Sequence, residues 1–308
     1  MALQAFSKEL KLMGNRFGFT VVSEIGDWAN EVIDEGIAEV QRIEKLLTTF
    51  SNDSETSAIN EYAGIEPVKV SEEVFNLIER SIKISSITQG AFDITYGGID
   101  KRLWNFDEGM TVLPSVEKAK QMVRLINYKN IVLDKEKQTV FLKEKGMRIG
   151  FGGIGKGYAA EMAKVVMKKK SASGIVNASG DLTAWGTAPN GSAWTVGIVH
   201  PDNKEEPFSY LNISDMAVAT SGNYEKFVMI DGKRYSHTIN PRTGLPVSGI
   251  KSVTIISPNA EISDAMATPV TVMGVSKGLH LINQLNKVEC VIIDDNNKIY
   301  TSRNIRCI

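Results

Sequence analysis

Residues 17–24 (FGFTVVSE) alternate apolar and polar side chains, the period of a strand with one buried face. Residues 28–47 place Ala29, Ile33, Ile37 and Val40 on one stripe at helical spacing. Ser71 is an N-cap candidate for a second helix carrying Val74, Leu77, Ile78 and Ile82 on its apolar side. A third helix is expected after Pro114 and Ser115, reaching about Ile126. Short strands follow at 130–133 and 139–143, joined by a polar turn at 134–138. Met147, Arg148 and Ile149 read as a strand leading into a Gly-rich turn at 150–157. A helix then ends in Lys168, Lys169 and Lys170, cations that suit the negative end of a helix dipole on a solvated surface. Residues 174–258 read mostly as strands punctuated by Gly, Asn, Asp and Pro, and the last fifty as helix, helix, strand, turn, strand. Helices and strands mix without a regular βα alternation, so an α+β fold with largely antiparallel sheets is expected rather than a doubly wound one. No repeat or linker marks a boundary, so residues 1–308 are expected to form a single unit, with room for two intimately packed subdomains.

Composition narrows the class. Of 308 residues 43% are apolar and 23% charged, an ordinary globular balance. Thirty-five basic residues against 36 acidic ones leave a net charge of -1, so no global basic field recruits nucleic acid. No run of about 18 apolar residues offers a transmembrane span, and the first fourteen residues lack the apolar core of a signal peptide. As written the chain reads as cytoplasmic; an exported or lipid-anchored form with a trimmed N-terminus would read the same way. Cys290 lies in the apolar run 288–293 and is expected as a buried thiol. A disulfide to Cys307 would need geometry that sequence does not supply.

The Gly-rich turn satisfies two well-known patterns incompletely. Gly150, Gly152 and Gly155 match the dinucleotide fingerprint, but no acid follows at about 20 residues for the ribose. Gly150, Gly155 and Lys156 match the start of a P-loop, but Gly157 stands where a magnesium-binding Ser or Thr is needed. What survives is a turn whose backbone N–H groups, at a helix N-terminus, can face an anion, or a tight turn with no ligand.

Two further places carry chemistry. Asp264 and Thr268 are four apart, hence on one face of a helix, and pair a carboxylate with a hydroxyl. That is hard-oxygen chemistry suited to Mg²⁺ or Ca²⁺, although an acid near a helix start is more often a cap. Pro269 predicts that this helix starts late or kinks. His237 precedes a loop marked by Asn240-Pro241 and Thr243-Gly244, and histidine is the side chain that titrates near neutrality, which makes it a general-base candidate. His200 and His280 are unremarkable, and three histidines are too few for a His-rich zinc site.

Taken in order, these segments resemble the ApbE-type FAD:protein FMN transferases. Met13-Gly14 resembles the family's opening Met-Gly step, and Phe50 with Ser54, Ser57 and Asn60 its aromatic and Ser/Asn pattern. Ala91-Phe92-Asp93 matches the Ala-Phe-Asp element, and residues 152–158 its Gly-rich turn. Ser221-Gly222 resembles the later Ser-Gly step, residues 237–244 the His-x-Ile-Asp-Pro-x-x-Gly loop, and Asp264 to Thr268 the Asp-Ala-x-Ala-Thr metal element. The resemblance implies an ApbE-like fold with the FAD site between its two halves. It implies Mg²⁺-dependent transfer of FMN from FAD to a threonine hydroxyl of an acceptor flavoprotein, releasing AMP. It implies Asp264, Thr268 and the Gly153 carbonyl as metal ligands. Met13, Phe50, Ala91, Phe92, Asp93, Lys156 and Ile239 are implied as FAD-site residues, and His237 as the group that deprotonates the threonine. Many relatives carry Asp at the position of Gly150, Asp at Glu161, His at Ser236 and Asp at Asn240. Hydrolysis of FAD to FMN and AMP, or flavin binding without catalysis, stands as the alternative.

Overall fold

A computed structural model describes residues 2–99, 112–200, 203–222 and 227–305. The chain opens with a hairpin, β1 (Gln4–Leu12) and β2 (Asn15–Ser23), paired antiparallel with Leu12 opposite Asn15. The turn residues Met13 (φ 50°) and Gly14 (φ 73°) both lie in the left-handed region, as a two-residue primed turn requires. Next come α1 (Gly26–Leu47), α2 (Glu55–Glu61), β3 (Val68–Lys69) and α3 (Glu72–Ile87). Ser54 caps α2 and Ser71 caps α3 by accepting the Ser57 and Val74 N–H groups. Then α4 (Val116–Met122), capped by Ser115, leads to β4 (Ile131–Asp134) and β5 (Thr139–Leu142), which form a small sheet with β3.

The second half begins with α5 (Gly155–Lys168), β6 (Gly174–Ala178), β7 (Asp181–Trp185), β8 (Trp194–His200), β9 (Asn203–Ile213) and β10 (Met216–Gly222). It continues with β11 (Phe227–Ile230), β12 (Lys233–Ser236), β13 (Ile250–Ser257), α6 (Ala260–Met273), α7 (Val275–Ile282), β14 (Glu289–Asp294) and β15 (Ile299–Thr301). Eight strands build the main sheet in the order β1-β2-β6-β7-β10-β13-β14-β15, every neighbour antiparallel. The fold is α+β, as expected.

Period-two alternation divides the sheet into two buried faces. Phe17, Phe19 and Val21 of β2 turn toward the helices and are almost completely buried. The stripe of α1, from Ala29 through Val32, Ile33, Val40 and Ile43, covers them. Gly36 admits α5 closely, since a Cβ there would stand 2.5 Å from Met167 Sδ. On the opposite face Leu182, Ala184 and Val218 meet Trp194, Val196 and Ile213 of the β8–β9 hairpin. Cys290 is buried in β14, and burial pushes its thiol up to about 12; Cys307 lies outside the described residues. No helix among the described residues is long and apolar enough to cross a membrane.

Four expectations need correction. Residues 147–149 do not form a strand; Arg148 makes a single parallel bridge to Tyr96. The third helix stops at Met122 rather than near Ile126. The lysines ending α5 are exposed but not merely solvated, since Lys168 pairs with Asp215 and Lys170 with Glu35. Finally α6 starts at Ala260 and continues through Pro269 to Met273. Proline removes one N–H, but packing of α6 against α5, β10 and β13 holds the helix across that gap.

Candidate functional site

The N-terminal end of α5 brings together Met13, Phe92, Gly153, Lys156 and Asp264 of the expected residues. Residues 150–154 form the turn before it, and Asn60 braces that turn's entry by bonding both backbone groups of Ile149, at 3.0 and 2.7 Å. The Gly150 N–H donates to the Ile94 carbonyl at 2.9 Å, which ties the turn to the Ala91–Phe92–Asp93 segment. Phe92 lies against Gly153, its Cε2 3.6 Å from where a Cβ would stand. Met13 reaches the same end from the first hairpin, its Cε 3.6 Å from a Cβ placed on Gly155. Cβ atoms at Gly150 and Gly152 would meet nothing within 4 Å, so the protein's own packing leaves space above both.

Helices α5 and α6 cap each other. Asp264 Oδ2 accepts the Gly157 N–H at 2.9 Å, and Glu161 Oε2 accepts the Ala260 N–H at 2.9 Å. Each acid sits one turn from the amide its own helix offers, so two carboxylates satisfy two helix starts reciprocally. Glycine at 157 is obligatory for this approach, because a Cβ would fall 2.2 Å from the Ala260 carbonyl oxygen. Lys164 holds Glu161 in a buried ion pair at 2.5 Å.

Asp264 is 7% exposed, and among the described residues it makes no ion pair. Burial first, and the Asp181 carboxylate second, push it up to about 7 against the opposing pull of Lys156 and the Gly157 N–H. Lys156 is itself ion-paired to the buried Asp181 at the start of β7. Thr268 lies one turn beyond Asp264 and is half-buried. Among the described residues no cluster of three or more His, Cys, Asp and Glu could hold a metal. Among the expected ligands Asp264 is the one carboxylate, and the Thr268 hydroxyl and Gly153 carbonyl are neutral oxygens. The residues fit a cation: a buried carboxylate with one N–H partner and no ion pair has unspent charge, and hydroxyl and carbonyl oxygens suit a hard cation.

The remaining expected residues divide by exposure. Ala91, Phe92 and Ile239 are buried, so they can meet a ligand mainly through backbone. Asp93 is 8% exposed and accepts from the Thr95 N–H and hydroxyl and from the Tyr128 N–H; burial raises its carboxyl above the usual range. Phe50 is the opposite case, fully exposed between α1 and α2. His237 is exposed at the exit of β12, on a backbone pinned by Ser236 N–H to Val247 O and Val247 N–H to Thr238 O. Asn240 accepts the Arg242 N–H at 3.0 Å through its side-chain oxygen. Gly244 (φ 71°) seats this loop on α4, where a Cβ would strike the Ala119 carbonyl.

The family model for the ApbE family matches residues 13–292, a span from Met13 to past Thr268. The chain belongs to the ApbE family. A relative named FAD:protein FMN transferase, from Klebsiella pneumoniae (strain 342), is 30% identical over 277 residues, covering 87% of this chain and 85% of its own. Among solved structures, the ApbE protein of Thermotoga maritima superposes with a TM-score of 0.86 at 28% identity, over 97% of both chains. The apo form of the Pseudomonas stutzeri flavinyl transferase ApbE gives 0.85 at 25% identity, over 98% of this chain and 96% of that one. Beyond the family's motifs, sequence reasoning assigned no role to Glu161 or to Asp181. The signal for Glu161 was present as an acid one turn after Gly157, but its partner amide lies 99 residues further on.

Proposed function

We propose that this ApbE-family chain transfers FMN from FAD to a threonine hydroxyl of an acceptor flavoprotein, with Mg²⁺ as cofactor and AMP as leaving group. One observation supports it above others: Asp264 lies buried, and without an ion pair among the described residues, at the start of α5, beside a glycine turn with open space above it. Asp264, Thr268 and the Gly153 carbonyl would hold Mg²⁺, which when bound neutralises pyrophosphate charge and polarises the phosphoryl oxygens. The N-terminal end of α5 favours the same negative charge. Phe50 offers an exposed aromatic face for a flavin or adenine ring, and Met13, Phe92 and Lys156 border the turn. His237 takes the threonine proton as the new O–P bond forms and the pyrophosphate P–O bond breaks. In this reading residues 1–308 act as one unit, with site segments drawn from Met13 through Thr268.

Incubation with FAD and Mg²⁺, with and without a threonine-bearing flavoprotein, tests the reading. AMP release coupled to covalent flavin on the acceptor is expected. AMP release that ignores the acceptor identifies a hydrolase, and no release at all identifies a binder.

A further inference from the structure

A cavity of about 510 Å³ opens between the end of α3, the end of α4 and the loop that follows His237. Lys120, Arg124, Lys129 and Arg242 line it, together with the buried Pro241 and the carboxylate of Asp93. Among the described residues none of these four cations makes an ion pair. Elsewhere on the chain surface cations are commonly matched, as Lys8 is to Asp34, Arg80 to Glu261 and Lys168 to Asp215. Asp93 can offset at most one of the four cations, and three hydrogen bonds from Thr95 and Tyr128 hold its carboxylate in place. Lys120 has the Glu117 carboxylate one turn earlier on α4, yet with that acid and Asp93 both counted the cavity keeps an excess of positive charge in a chain of net charge -1.

Resting on the reading of the site as a flavin transferase, we propose that this cavity receives an acidic segment of the acceptor protein. Its walls belong to both sides of the reaction site. Asp93 follows the segment packed on Gly153, and Pro241 and Arg242 lie in the same loop as His237. Arg242 lies five residues after His237, so a segment bound in the cavity would contact the loop that carries the expected base. Three of the cations come from residues 120–129 and the fourth from the loop after His237, and Val123 and Ile126 add apolar surface to the lining. Carboxylates spaced along a peptide match this distribution, and its apolar residues match the floor.

The probes are two fluorescein-labelled peptides with one threonine each, one flanked by aspartates and the other by asparagines. The aspartate peptide should bind about tenfold more tightly at low salt, and the preference should fade as salt screens it. Arg124→Glu with Lys129→Glu should erase the preference while FAD affinity, read from flavin fluorescence, is unchanged. Lys277→Glu with Lys287→Glu, the same charge change away from the cavity, should keep it. Equal binding of both peptides overturns the proposal. So does an equal loss in the two double variants, or full displacement by millimolar inorganic phosphate, which would make the occupant a small anion. Flavin transfer is measured apart from binding, so failure of turnover with intact peptide preference would count against the transferase reading and not against the docking site.

Discussion

Asp264 accepts the backbone N–H of Gly157 at 2.9 Å, so the carboxylate expected to hold a metal is also the cap of a neighbouring helix. A carboxylate has lone pairs for both tasks. One oxygen on the amide fixes its orientation, and fixed orientation is what a site with few charged ligands needs. The same bond explains why α5 starts at Gly155 without a side-chain cap of its own.

The raised carboxyl of Asp264, at about 7 against an ordinary 3.8, makes cation binding and stability depend on pH. A folded-state value above the unfolded one means the folded apo protein keeps a proton that the unfolded chain releases. The associated stability is full below about pH 4 and is lost as pH rises through 7. Mg²⁺ needs the carboxylate, so it should raise the melting temperature more at pH 8 than at pH 6. Asp264→Asn should abolish both the Mg²⁺ response and its pH dependence while retaining an oxygen for Gly157. Equal Mg²⁺ stabilisation at the two pH values, read by thermal melts, would remove Asp264 from the metal site.

Two glycines of one turn should behave oppositely. Gly150→Ala adds a Cβ into open space and should change stability by less than about 0.5 kcal/mol. Gly157→Ala drives a Cβ against the Ala260 carbonyl and Asp264 Cβ, at 2.2 and 2.6 Å, and backbone cannot step aside as a side chain does. It should cost about 1–3 kcal/mol or more and weaken Mg²⁺ binding with it. Denaturant melts of the two variants in parallel decide the matter, and similar midpoints would contradict the close approach of α5 to α6.

Glu161 should act on the metal through α6. Its Oε2 anchors Ala260, one turn before Asp264, and Lys164 holds the other oxygen. Glu161→Ala leaves a buried N–H and the Lys164 ammonium without their partner and should cost about 1–3 kcal/mol. Glu161→Gln keeps an acceptor for Ala260, so Mg²⁺ affinity should recover with it even though the charge for Lys164 is gone. Titration calorimetry separates affinity from stability. An alanine variant that binds Mg²⁺ as well as wild type would confine Glu161 to a purely structural role.

How far the sequence disclosed this arrangement depends on how local each cause is. The stripe of α1 and the Ser71 cap of α3 are local: α1 stands within two residues of expectation and α3 starts directly after Ser71, although it runs on to Ile87 beyond the last expected apolar position, Ile82. The 237–244 loop was legible through Asn-Pro and Thr-Gly, because turn chemistry is local too. β1 was not legible: it is an edge strand with one exposed face, and its other face is only half-buried, with Lys8 between Phe6 and Leu10, so its alternation is faint. α2 has only seven residues and few apolar ones. Residues 147–149 look like a strand, yet Asn60 takes the backbone bonds of Ile149 that a neighbouring strand would have taken. The mutual capping of α5 and α6 is the extreme case: α6 has a local cap in Asn259, but the carboxylates that join the two helix starts lie 107 and 99 residues from the amides they take.

His237 offers the sharpest separation of chemistry from binding. Its side chain is exposed while its backbone is held on both flanks, by Ser236 to Val247 and by Thr238 N–H to Ser236 Oγ at 2.9 Å. An exposed side chain on a fixed backbone can be replaced without opening the core, so His237→Asn should melt within about 0.5 kcal/mol of wild type. FAD and Mg²⁺ affinities should also hold, because the expected metal ligands lie on the turn before α5 and on α6. Transfer to the threonine acceptor should instead fall about 10²–10⁴-fold, the usual contribution of a positioned base. The comparison that decides is single-turnover transfer against flavin binding in the same preparation. Parallel losses would assign His237 to binding, and transfer at nearly the wild-type rate would leave the threonine proton to another group.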